Sequence, residues 1–133
     1  MSLTEAMTFH VPDHWRVLVL DDTEDRLSWF RQRLPNVCCA KTAHDAISAL
    51  SNEHFDLVFL DHDLNWMDAG FPDRQYDNGK EVARFLAIKR FLGRIVIHSK
   101  SDQAQVMAKI LPQATVERFG DFEIVCVRSD SDR

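Results

Sequence analysis

The sequence predicts an α/β domain built as a three-layer sandwich, with a parallel sheet of order 2-1-3-4-5 between helices. Three observations carry this. Apolar runs of strand length alternate with segments of helical periodicity along the chain. The strands are apolar on both faces, as strands covered by helices on two sides must be. The length of 133 residues suits one such domain and is too short for two.

Each element follows from local pattern. "WRVLVLDD" supplies a first strand over residues 15–20, and "TEDRLSWFRQRL" a helix with Leu27, Phe30, Arg31 and Leu34 at helical spacing. Thr23 or Asp22 can cap that helix, and Pro35 ends it. "VCCA" is a short second strand. "AHDAISALSNE" is a second helix that lines up Ala43, Ala46, Ile47 and Leu50. "FDLVFLD" is the third strand, followed by the irregular stretch "HDLNWMDAGFPDRQYDNG", long for a βα connection. "KEVARFLAIKRF" predicts a third helix closed by Gly93, "RIVIHS" a fourth strand, and "DQAQVMAKIL" a fourth helix stopped by Pro112. "ATVERF" and "FEIVCV" flank Gly120 and Asp121 and predict an antiparallel hairpin over residues 114–127, the added strand standing in place of a fifth helix. Residues 1–13 show no periodicity and read as a loose arm, 14–128 as the domain, and 129–133 as a tail.

Composition narrows the function classes. An apolar fraction of 45% and a charged fraction of 28% describe a globular protein. No apolar run approaches the roughly 18 residues of a membrane span, and no signal-peptide pattern opens the chain. Cys38, Cys39 and Cys126 lack metal-ligand spacing and read as reduced packing residues of a cytoplasmic protein. A net charge of −5 argues against extended nucleic-acid binding, though not against a phosphate-bearing small molecule or a single RNA end. Lys80, Arg84, Lys89, Arg90 and Arg94 form a local basic group that reads first as a solvated helix face.

The chemistry gathers at the strand tips. The first strand ends in Asp21-Asp22, the third in Asp61-His62-Asp63, and the fourth in His98-Ser99-Lys100. In the predicted topology all three tips share the carboxyl edge of the sheet, where open α/β sheets bind ligands. Adjacent carboxylates repel and are costly to bury unpaired, so a cation is expected among them. Asp21, Asp22 and Asp61, with Asp63 as a further ligand, offer the oxygen-rich pocket that Mg²⁺ or Mn²⁺ prefers. His62 and His98 supply titratable groups beside it, whereas His10, His14, His44 and His54 have no such setting.

This constellation resembles the response-regulator (CheY-like) receiver domain of flavodoxin-like fold over residues 15–119. Asp21, Asp22, Asp61 and Ser99 match its acid pair, phosphoacceptor and hydroxyl. Receivers also carry a lysine ending strand five, where "TVERF" offers Arg118, and they close with a fifth helix. A narrower resemblance is to the cyclic-phosphate-processing receiver-like domain, carried by "LDDTEDR", "LDHDL", "IVIHS" and "QVMAKI", with Arg26 and Met107 in place. Ser101 stands where that family usually has Asn, and Asn65 where it has Gly.

The resemblance implies metal-assisted acid/base hydrolysis of a cyclic phosphate, such as a 2′,3′-cyclic phosphate end. His62 and His98 would divide the acid and base roles, the metal would sit on Asp21, Asp22 and Asp61, and Ser99, Lys100 and Arg26 would hold phosphate oxygens. Trp66, Phe71 and Tyr76 of the long stretch either cover a base or sugar or pack it against the domain. One alternative is a two-component receiver phosphorylated on Asp61 by a sensor kinase. The other is a receiver-like fold that binds a partner without chemistry.

Overall fold

The structure is a computed structural model that describes residues 7–61, 79–99, 109, 111–118 and 120–128. Its core is a five-stranded parallel sheet made of β2 (Val17–Leu20), β3 (Val37–Ala40), β4 (Leu57–Asp61), β5 (Arg94–Ser99) and β6 (Thr115–Arg118). Their order is β3-β2-β4-β5-β6, the expected order 2-1-3-4-5 for the five core strands. The helices are α1 (Glu24–Arg33), α2 (Ala43–Asn52) and α3 (Gly79–Lys89). The expected fourth helix and the irregular stretch after β4 lie outside the described residues, apart from Gly79, helical Lys109 and Leu111. Among the described residues no helix is long and apolar enough to cross a membrane.

The period-two geometry of the strands divides the core in two. Leu18, Leu20, Val58, Leu60, Ile95 and Ile97 face α2 and α3, where they meet Ala46, Leu50, Val82 and Leu86. Val17, Val19, Leu57, Phe59 and Val96 face the other way, onto Leu27 and Phe30 of α1. α2 begins where the Thr42 side chain accepts a hydrogen bond from the Asp45 amide at 3.1 Å, satisfying one of the first-turn donors. Arg90, in the left-handed conformation (φ 59), closes α3, so Gly93 is not the terminator that the sequence suggested. Gly93 serves close approach instead, because a Cβ there would lie 2.6 Å from the Asp56 carbonyl oxygen.

Two expectations are corrected at the chain ends. Residues 7–12 are not a loose arm but a strand, β1 (Met7–Pro12), and the last strand, β7 (Phe122–Val127), pairs with it in parallel register. β6 and β7 therefore exist as strands, but they do not pair as an antiparallel hairpin; β7 belongs to a separate two-stranded sheet. The physical reason lies in what each arrangement buries. Phe9 and Val11 of β1, with Phe122 and Ile124 of β7, are buried against Phe59, Val96 and Phe30 on the sheet face that α1 leaves open. A hairpin extending the sheet edge would leave that apolar face exposed. Phe9 meets Phe59 and Phe122 edge-on, with centroids 6.0 and 5.5 Å apart, and Arg33 of α1 binds Glu123 at 2.5 Å. Among the described residues no helix follows β6, and the ribbon covers the sheet in its stead.

Candidate functional site

Strand alternation builds the site. The face packed against α1 is lined by three apolar rows, and each ends in a polar residue at the carboxyl edge. Val17 and Val19 lead to Asp21, Leu57 and Phe59 to Asp61, and Val96 to His98. The register sets Asp61 directly beside His98. The Asp21 amide continues the ladder by donating to the Ala40 carbonyl at 3.0 Å, which fixes the side chain at the tip. All three residues are buried, and ligand atoms from each lie within 4.8 Å of one another.

Arg26 reaches this group from α1. Its Nε donates to Asp21 Oδ2 at 2.8 Å, and its Nη2 lies 3.5 Å from Asp61 Oδ2. His98 Nε2 is also 2.8 Å from Asp21 Oδ2, while the Thr23 amide donates to Oδ1 at 2.8 Å. Burial raises the Asp21 carboxyl, but the His98 hydrogen bond and charge, the Thr23 amide and Arg26 outweigh it and hold the group below its ordinary value. Burial likewise opposes the Arg26 charge, and Asp21, Asp61 and Asp22 more than compensate, strengthening it. A protein cation thus already lies across the carboxylates that the sequence left to a metal.

Of the expected site residues, Asp21, Asp61, His98 and Arg26 converge. Asp22 stands apart from that ligand group, partly exposed, with the Thr23 hydroxyl 3.4 Å from its Oδ1. Ser99 ends β5 opposite Arg118 in the register. His62, Asp63 and Lys100 lie outside the described residues. Arg26 was expected on phosphate, and the structure sets it on the carboxylates. His98 was expected as an acid or base, and its ring also falls among the metal-capable donors; the alternation Val96, His98 on a strand beside Asp61 was the signal for this.

Two carboxylates and an imidazole fit a divalent cation that accepts mixed oxygen and nitrogen donors, provided that Arg26 yields. Three residues of the basic group read from the sequence are engaged elsewhere. Arg84 binds Glu81 at 2.6 Å, Lys89 donates to the Leu50 carbonyl, and Arg94 lies over the Phe9 ring at 5.9 Å. The cysteines are free, and burial pushes each thiol up, as expected of packing residues.

Comparison with solved structures gives receiver domains. The response regulator TrrA of Thermotoga maritima, in complex with Mg(2+)-BeF, is 19% identical, with a TM-score of 0.62 over 79% of this chain and 88% of that one. A CheY-like receiver domain protein from Methanospirillum hungatei is 21% identical, with a TM-score of 0.60 over 85% and 82%. The Francisella response regulator 1452 receiver domain is 14% identical, with a TM-score of 0.58 over 84% of each chain. At such identities the likeness establishes the fold. No curated protein matches the sequence. The family model described as "Cyclic-phosphate processing Receiver domain" matches residues 16–112, which span β2 to the residue after the expected fourth helix. This chain, with its receiver fold and a buried histidine among the strand-tip carboxylates, belongs to the cyclic-phosphate processing receiver domain family.

Proposed function

We propose that this protein opens a cyclic phosphate, a 2′,3′-cyclic phosphate end or a related phosphoester, by metal-assisted acid/base hydrolysis. The observation that carries the reading is His98, fully buried at the tip of β5 with Nε2 2.8 Å from Asp21. A receiver that only accepts a phosphoryl group on Asp61 has no need of an imidazole there. A hydrolase does. The Asp21 carboxylate orients the ring and fixes its tautomer with the proton on Nε2, so that proton transfer runs through Nδ1. His62, next to Asp61 in sequence, takes the complementary role, one histidine activating water and the other protonating the departing oxygen. Asp21 and Asp61, with Asp22 and Asp63 nearby in sequence, would hold Mg²⁺ or Mn²⁺, which when bound would neutralise phosphate charge and acidify water. Ser99, the last residue of β5, and Lys100, next to it in sequence, take phosphate oxygens, and the substrate is a small phosphate ester or an RNA end.

A second reading, a receiver phosphorylated on Asp61 by a sensor kinase, is favoured by the TrrA likeness, since that regulator is in complex with Mg(2+)-BeF. One experiment separates the two. Metal-loaded protein is assayed on cyclic and linear phosphoesters and, in parallel, incubated with acetyl phosphate. The hydrolase reading expects ring opening that falls about 10²-fold or more in His98→Asn and in His62→Ala. A hydroxylamine-sensitive acyl phosphate on Asp61, with no turnover of any cyclic ester, sinks it in favour of the switch.

A further inference from the structure

We propose that Arg26 is the resident counterion of the Asp21–Asp61 pair and must leave its place before a divalent cation can be held between Asp21 and Asp61. The inference deepens the metal-assisted reading and rests on it. Arg26 Nε is 2.8 Å from Asp21 Oδ2 and Nη2 is 3.5 Å from Asp61 Oδ2, so the guanidinium spans the two carboxylates that a cation would span. The same Asp21 oxygen is contacted by His98 Nε2 at 2.8 Å, and ligand atoms of Asp21, Asp61 and His98 all lie within 4.8 Å. Two positive groups cannot share so small a buried space, because like charges at about 4 Å repel strongly at protein dielectric. Arg26 and the cation therefore exclude one another.

The anchoring of Arg26 shows how it can yield. It comes from α1 and not from the sheet, and its Nη2 also donates to the Thr23 hydroxyl at 3.0 Å. Its side chain is 12% exposed, so it has a way toward solvent, while the two carboxylates have almost none. Once displaced, a planar guanidinium at the edge of the pocket suits a phosphate oxygen pair. Metal loading and phosphate capture would then be one coupled event.

The test is binding of metal alone, without substrate. Mn²⁺ is titrated into the metal-free 133-residue chain by calorimetry and by the spin-resonance signal of the free ion. Arg26→Gln, which keeps size and loses charge, should bind Mn²⁺ at least about tenfold more tightly than wild type. Arg26→Gln binding equally or more weakly overturns the proposal. A measurement on wild type needs no variant to fold: the Arg26 Nε–H resonance, held by Asp21, should lose its protection from exchange as Mg²⁺ saturates. An unchanged resonance at saturation also overturns it. Tighter binding by Arg26→Gln without cyclic-ester turnover supports this inference and removes only the hydrolase reading. Turnover with an unmoved Arg26 does the reverse.

Discussion

Asp21→Asn is the substitution that most directly weighs the strand-tip cluster. The native carboxylate accepts from the Thr23 amide, Arg26 Nε and His98 Nε2, each at 2.8 Å, and is fully buried. Asparagine keeps the shape and can still accept from Thr23. Its amide nitrogen, however, then faces the Arg26 and His98 donors, and the buried guanidinium loses its principal anion. Removing one partner of a buried ion pair costs about 3–5 kcal/mol, and the lower end applies because Asp61 still faces Arg26. For a domain of this size about 3 kcal/mol lowers the melting temperature by about 10 °C. Thermal melts followed by circular dichroism measure it. The acid limb supplies the sign. Since the native Asp21 carboxyl lies below its ordinary value, its stabilisation is complete above a pH of about 4. It is lost as pH falls through the depressed native value. The gap between wild type and variant should therefore narrow on acidification. A difference under about 1 kcal/mol at neutral pH, the size of an exposed pair, or a gap that widens in acid, would refute the reasoning.

Three further outcomes follow from the packing and the donor set. Phe9→Ala, at a buried ring touching Phe59 and Phe122, should cost about 3–5 kcal/mol in urea unfolding, against well under 1 kcal/mol if the ribbon were peripheral. Gly93→Ala should cost about 1–3 kcal/mol, because its Cβ would sit 2.6 Å from an Asp56 carbonyl already fixed by the Arg94 amide at 2.9 Å. A melting series should show neither a loss of cooperativity nor a new phase in that variant. Saturating Mg²⁺ or Mn²⁺ should raise wild-type stability by mass action, about 2.7 kcal/mol at a hundred times Kd. Asp61→Asn should respond far less, and equal responses would remove Asp61 from the metal site.

The five core strands were readable because each is a nearly uninterrupted apolar run, and their order was expected because a strand–helix alternation of this size suits the flavodoxin-like arrangement. Asp21, Asp61 and His98 were readable as a group because the same topology puts their strand tips on one edge. β1 was not. "TFHVP" alternates correctly, with Phe9 and Val11 inward, but two inward residues are too few to distinguish a strand from chance. Its partner lies at the other end of the chain, where no local pattern can point to it. "FEIVCV" announced a strand but not its neighbour, since five apolar residues in six mark neither face. The position of Arg26 was hidden for a different reason. Helical spacing fixes the direction of its Cβ, but whether a long side chain turns to a carboxylate or to phosphate is decided by the charges around it.

Phe9 on β1 is matched in register with Ile124 on β7, and this sets the timetable by which the molecule can be completed. During synthesis β1 emerges first and finds nothing to pair with until β7 has been made. The intervening core of sheet and helices can collapse in the meantime through neighbouring segments, but Phe59 and Val96 remain uncovered on one side. Closing the ribbon brings together the most distant parts of the described chain, a slow, entropically costly step that comes late. Until then the nascent domain carries an apolar flank and an unmatched strand, the pair of features that invites aggregation or exchange between copies.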